Sequence, residues 1–252
     1  MINYGKQFID SKDIKAVTKV LKGNWLTQGP EVQKFEKALK LKFRSKYCTV
    51  VSNGTAALHL AGIALGWKKG DIVFTSPISF LATSNCVLYS GATPVFIDIE
   101  DDHFTIDVNK LEKKIKEYKK RKKNISAIIA TDYAGHPSDW KKLKLLGNKY
   151  NIKLINDNCH ALGASIDNKK NYAIKFADIA THSYHPVKHI TTGEGGSILT
   201  NNKELDKKIK ILRSHGVEKN NDKPWFYQMN QLGFNYRLSD LSCSLGISQL
   251  KK

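Results

Sequence analysis

Residues 48–65 read CTVVSNGTAALHLAGIAL, and they carry the fold in miniature. Cys48–Ser52 is a short run rich in β-branched residues, Ser52-Asn53-Gly54-Thr55 is a small polar turn, and Thr55–Leu65 is an almost wholly apolar helical stretch. A strand that passes through such a turn into a helix buried on all sides belongs to a sheet covered by helices on both faces. The alternation continues along the chain. Strand-like runs recur at Ile72–Thr75, Pro94–Asp98, Ala127–Thr131, Lys153–Asp157, Asp178–Ser183 and Gly196–Thr200, with helical patterns at Ser79–Tyr89, Asn109–Lys120 and Ser138–Lys149. The expectation is a three-layer α/β/α fold around a mostly parallel sheet. Ligands of such sheets bind beyond the carboxyl ends of the strands. Ser52–Thr55, Ser76–Phe80 and Asp157–His160 all fall at those ends, which core building alone does not predict.

The two ends of the chain differ from this middle. Asp10–Lys22 and Glu31–Lys42 read as amphipathic helices joined by Gly23-Asn24-Trp25-Leu26-Thr27-Gln28-Gly29-Pro30, a loop with an exposed-looking Trp and two glycines. Leu238–Lys252 is a helical pattern (Leu241, Leu245, Leu250) that stops at Lys251-Lys252 without cap or breaker, so further chain is expected beyond it.

Composition removes several classes. With 252 residues, 41% hydrophobic and 25% charged, the chain is globular rather than disordered. It contains no run of about 18 apolar residues, and Met1–Lys6 begins nothing like a secretory signal. Cys48, Cys86, Cys159 and Cys243 are far apart with no C-x-x-C pair, as expected of reduced thiols in a cytoplasmic protein. The 41 Lys+Arg against 23 Asp+Glu give a net charge of +18. The densest basic run, Lys113–Lys123, carries Leu111, Ile115 and Tyr118 at helical spacing, so it reads as a solvated outer helix face. No nucleic-acid motif accompanies it, and neither nucleic acid nor membrane is an expected partner. The eight histidines form no pair at ligand spacing with acidic or thiol partners, so no metal is expected.

Three segments carry chemistry. In SYHPVKHITTGEGG (183–196), Lys188 follows a strand and precedes a glycine-rich return into another strand. A lysine in a partly desolvated, electropositive pocket becomes a nucleophile toward carbonyls, a property that pyridoxal phosphate exploits. In SNGTAAL (52–58), free N–H groups at a helix start form a phosphate site, although the same residues would serve as a bare helix cap. In NDNCHALG (156–163), Asp157 at a strand end suits a pyridine nitrogen that must stay protonated, or else it is an ordinary turn residue.

Taken in order, SNGTAAL, TSPISF, DNCHALG, SYHPVKHITTGEGG, RSHG and GFNYRLSDL resemble the DegT/StrS-like sugar aminotransferases, pyridoxal-phosphate enzymes of the aspartate-aminotransferase fold (fold type I). The likeness covers nearly the whole chain. It implies residues 31–252 as the cofactor-binding large domain and residues 1–30 as an N-terminal segment belonging to the small domain, with the C-terminal small domain lying beyond residue 252. It implies Lys188 as the Schiff-base lysine that also moves the proton, Asp157 as the partner of the pyridinium nitrogen, Phe80 against the ring face and His160 beside it. Gly54, Thr55 and Ser183 would hold the phosphate, and Asn235 would reach the phosphate of a partner subunit, so a homodimer is expected. Tyr4 and Asn24-Trp25-Leu26-Thr27 align with segments that contact the nucleotide-sugar. TQG after the first helix, DYAG at 132–135 and HPVKHITTGEGG are most similar to the branch that aminates a UDP-4-keto-6-deoxy-N-acetyl-hexosamine on the route to pseudaminic acid, with L-glutamate as donor. A dehydratase of the same family would carry His where this chain has Lys188. A binding protein that keeps the fold without turnover is the remaining alternative.

Overall fold

The computed structural model describes residues 5–169, 172–219 and 225–252. Side-chain caps decide where most helices begin. Asp10 closes a capping box on α1 (Ser11–Leu21). Helix α2 (Pro30–Phe43) starts after Gly29, which offers no side chain. Its free N–H groups are met from elsewhere: the Asp240 carboxylate accepts from Gly29 N at 2.6 Å and Glu31 N at 2.9 Å. Strand β1 (Tyr47–Val51) then leads through Asn53 into α3 (Gly54–Ala64). Strand β2 (Asp71–Thr75), α4 (Leu81–Tyr89), β3 (Thr93–Phe96) and the Asp107-capped α5 (Val108–Lys120) follow. Strand β4 (Asn124–Thr131) ends in a 3-10 turn at Tyr133–Gly135, before α6 (Trp140–Tyr150) and β5 (Lys153–Asp157). After the five-residue α7 (Tyr172–Phe176) come β6 (Ile179–Ser183), β7 (Gly196–Thr200) and α8 (Lys203–Arg213). A small hairpin of β8 (Val217–Lys219) and β9 (Tyr227–Met229) precedes α9 (Asp240–Gln249).

The central sheet has seven strands in the order β1-β7-β6-β5-β4-β2-β3. All pairs are parallel except the two that β7 makes, with β1 and with β6. The mostly parallel sheet expected from the sequence is therefore present, with one reversed strand. Reversing β7 leaves β1 running the same way as β6, so the ends of β1, β2, β4, β5 and β6 open on one edge.

Two apolar layers flank the sheet. One unites Phe35 and Leu39 of α2, Leu111 and Ile115 of α5, Trp140 and Leu143 of α6 and Cys243 of α9 with one face of the strands. The other unites α3, Cys86 and Val87 of α4 and Ile209 and Leu212 of α8 with the opposite face. Helix α3 is apolar nearly all round because nine of its eleven residues are buried. Helix α1 is tied to α9 by Asp13, whose carboxylate accepts from Gln249 Nε2 at 2.8 Å and Lys252 Nζ at 2.6 Å. Among the described residues no helix is long and apolar enough to cross a membrane.

Candidate active site

The strand ends surround a cavity of about 500 Å³. At the end of β1, Asn53 Oδ1 accepts from Ala56 N at 2.8 Å, fixing the start of α3. The N–H groups of Gly54 and Thr55 have no acceptor among the described residues and lie at the positive end of that helix, facing the cavity. Two glycines make the approach possible. A Cβ on Gly54 would stand 2.9 Å from Ser183 Cβ, and one on Gly196 would stand 2.6 Å from the Asn53 carbonyl. The turn thus lies directly against the ends of β6 and β7, and Ser183 joins the lining.

Asp157 closes the floor. It is 3% exposed, and its recorded partners are neutral: Thr83 Oγ1 donates to Oδ2 at 2.6 Å, and the Cys159 N–H donates to Oδ1 at 3.3 Å. Thr83 lies in the first turn of α4, just after Phe80, which stands largely exposed at the rim. Burial, with the Asp157 charge second, holds the Cys159 thiol well above its ordinary value, so it stays protonated. His160 lies against Tyr133, ring centroids 5.9 Å apart. Burial and then the Lys188 charge push its pKa down, while Asp157 works against them, so the imidazole is neutral at neutral pH.

Lys188 sits in a turn closed by its own N–H donating to the His185 carbonyl at 2.8 Å. The chain returns to β7 through Thr191, whose Oγ1 donates to the Tyr184 carbonyl at 3.1 Å, and Thr192, whose Oγ1 donates to the Glu194 carbonyl at 2.6 Å. Burial followed by the Lys188 charge also pushes His189 down.

Of the residues singled out in the sequence, Gly54, Thr55, Phe80, Asp157, His160, Ser183 and Lys188 all line this one cavity. Asn235 does not: it is exposed on a segment held by Phe234 N donating to the Leu212 carbonyl at 2.7 Å and by Tyr236 N donating to the Arg213 carbonyl at 3.1 Å. Asn24, Trp25, Leu26 and Thr27 are exposed and also stand outside it, although the loop is anchored where Asp240 N donates to the Leu26 carbonyl at 3.0 Å. Tyr4 lies outside the described residues. Tyr133, His185 and Glu194 line the cavity beyond the residues expected from the sequence, and Thr83 is a partner of Asp157 that no sequence motif marks. Glu100, Asp102 and His103 come within ligand distance of one another on an exposed turn. There the Glu100 carboxylate already accepts from the N–H groups of Asp102, His103 and Thr105.

The lining fits a phosphorylated pyridine aldehyde. Unused helix-start N–H groups beside a serine hydroxyl suit a phosphate, a buried carboxylate with only neutral partners suits a ring N–H⁺, and an amine lies in the same cavity. Fold and lining together are those of the fold-type I class of pyridoxal-phosphate proteins. The chain belongs to the DegT/DnrJ/EryC1/StrS aminotransferase family, whose profile matches residues 7–252. It is 47% identical over 252 residues to the UDP-4-amino-4,6-dideoxy-N-acetyl-beta-L-altrosamine transaminase of Campylobacter jejuni (strain 81-176), covering all of this chain and 65% of that protein. It is 39% identical to the Helicobacter pylori transaminase of the same name, covering 99% of this chain and 64% of that one. Among solved structures, Helicobacter pylori PseC, an aminotransferase of pseudaminic acid biosynthesis, superposes with a TM-score of 0.90 at 37% identity over 99% of this chain and 65% of that one. Bacillus subtilis NtdA with bound PMP gives 0.84 at 32% identity over 96% and 54%. The chain thus spans about two thirds of the length of the curated relatives it matches.

Proposed function

We propose that the chain forms the pyridoxal-phosphate site of a nucleotide-sugar aminotransferase that moves an amino group from L-glutamate to a UDP-4-keto-6-deoxy-N-acetyl-hexosamine. The observation that carries this reading is the convergence of Gly54, Thr55, Ser183, Asp157 and Lys188 on one cavity. Bound pyridoxal phosphate supplies an aldehyde carbon for amine exchange and a ring that takes up electrons. The Gly54 and Thr55 N–H groups and the Ser183 hydroxyl bind the phosphate, and Phe80 and His160 border the ring. Asp157 holds the proton on the ring nitrogen, with Thr83 fixing the carboxylate from behind. Lys188 Nζ would hold the cofactor's aldehyde group and, as a free amine, would serve as the base and acid for a proton at the reacting carbons. The neutral His160 adds no competing positive charge beside it.

In this reading Asn235, exposed on its segment, reaches the phosphate of a partner subunit in a homodimer, and Tyr4, Asn24, Trp25, Leu26 and Thr27 contact the nucleotide-sugar. Residues 1–30 belong in this reading to the small domain and residues 31–252 to the large one. The test is a visible absorption band on adding pyridoxal phosphate, fixed by borohydride on the peptide that carries Lys188. Glutamate should then discharge the band and yield 2-oxoglutarate. A band that forms but survives glutamate would leave a cofactor-binding protein without turnover, and no band on a chain that folds would end the reading.

A further inference from the structure

Asp157 is flanked by two asparagines, and what they touch lies on the far side of the sheet. Side chains alternate along β5, so Leu154 and Asn156 face the α6 layer while Ile155 and Asp157 face α3 and α4. Asn158, just past the strand, turns the same way as Asn156. Both amides end on a single oxygen: Asp132 Oδ2 accepts from Asn156 Nδ2 at 2.9 Å, Asn158 Nδ2 at 2.9 Å and the Tyr172 hydroxyl at 2.8 Å. The other oxygen, Oδ1, accepts from Ser138 N at 2.8 Å and Trp140 Nε1 at 2.8 Å. Asp132 also holds the residue between the asparagines, its N–H donating to the Asp157 carbonyl at 3.2 Å. Asp132, Asn156 and Asn158 are essentially inaccessible, and Asn156 Oδ1 has no partner among the described residues, so Asp132 alone orients that amide.

The same network reaches the lysine loop. Asn158 Oδ1 meets His182 Nε2 at 3.1 Å, His182 Nδ1 meets Ser197 Oγ at 3.3 Å, and Ser197 Oγ meets the Tyr184 hydroxyl at 2.6 Å. Burial holds His182 neutral, pushed down to about 3. The Tyr184 carbonyl in turn accepts from Thr191 and Thr192, the residues that close the loop after Lys188.

A buried carboxylate without a cation is costly in a core where apolar residues would pack as well. Its five donors compensate for that cost but do not explain its place beneath Asp157. We propose that Asp132 is a positioning residue for the cofactor: by gripping both neighbours of Asp157 from the opposite face of the sheet, it fixes the direction of that carboxylate relative to the Lys188 loop. The proposal rests on the reading of Asp157 as the partner of the ring nitrogen.

The test uses the protein loaded with pyridoxal phosphate and reads two quantities, the cofactor Kd and the pH midpoint of the visible band. The variants are Asp157→Asn, Asp132→Asn, the double variant Asn156→Ala/Asn158→Ala, and Trp140→Phe, which removes a donor only from Oδ1. Asp132→Asn and the asparagine double variant should each raise Kd about tenfold, the scale of one hydrogen bond to a charged group. Both should also move the midpoint in the direction Asp157→Asn moves it. Trp140→Phe should lower thermal stability and leave both readouts in place. If Asp132→Asn does not fold, the double variant decides. Unchanged Kd and midpoint in a folded Asp132→Asn or in the double variant, with Asp157→Asn altered, would overturn the positioning role while leaving the cofactor reading intact. An equal effect from Trp140→Phe would also overturn it, as general loosening of the core. An unaltered Asp157→Asn would instead remove the role given to Asp157, and this proposal with it.

Discussion

Two parts of the molecule concentrate charge, and they use it differently. On α5, Glu117 pairs with Lys114 at 2.9 Å and Arg121 at 2.8 Å, and Glu112 pairs with Lys149 at 2.8 Å, all on side chains open to water. Such pairs are screened and contribute little. The cavity has far fewer charges, but Asp157 is withdrawn from solvent and aimed at a space that also contains Lys188. The +18 net charge therefore says little about chemistry, whereas a few desolvated groups say much.

The comparison can be broken or sharpened by substitution. The largest effect is expected of Lys188→Ala, which should abolish borohydride fixation of the cofactor and lower the proposed transamination by more than about a thousandfold; near-normal turnover would empty the cavity of its assigned role. Next is Gly54→Ala. Its new Cβ would meet Ser183 Cβ at 2.9 Å, so the turn must move, and cofactor titration should show a Kd about tenfold higher.

Asp13 tests a buried carboxylate remote from the cavity. Burial would raise its pKa, but the Lys252 ion pair and the hydrogen bonds around it prevail and hold it at about 2, against an ordinary 3.8. A lowered folded value adds stability that is fully present above about pH 4 and is lost as pH falls toward about 2. Asp13→Asn should therefore melt several degrees lower than the unsubstituted protein at neutral pH, with the gap closing through that acid window and cofactor affinity unchanged throughout. The smallest effect belongs to Glu117→Ala on α5, expected to alter neither melting temperature nor cofactor binding measurably.

Much of this arrangement was legible in the chain. The limits of Lys153–Asp157 and Gly196–Thr200 stand in the sequence as they do in the structure, and the rule that ligands gather at strand ends groups Gly54, Phe80 and Asp157, with Lys188 marked by its own glycine-rich segment. The reversed direction of β7 is not legible, because five uniformly buried residues look alike in either sense. Helix α8 is hard to read in the sequence, because Ile209 and Leu212 are scattered among seven charged residues. Helix α7, at five residues, is too short to display a period. Thr83 resembles its neighbour Ser84 until α4 is laid beside β5, and Asp132 looks like any turn carboxylate until Asn156 of β5 and Asn158 just past it arrive on it. These are tertiary facts, written in no single window of sequence.

The reversed strand also bears on how the molecule is made. β1 is an edge strand whose one partner in the sheet is β7, roughly 145 residues further along. During synthesis at about 5–20 residues per second, β1 waits roughly seven to thirty seconds for that partner to emerge. Until then an apolar strand with unpaired N–H and C=O groups is open to wrong partners, including another nascent copy. The Gly54–Thr55 turn at the end of β1 can come to rest against Ser183 only after β7 slots in between, so the site proposed for the cofactor closes late in the folding of each chain.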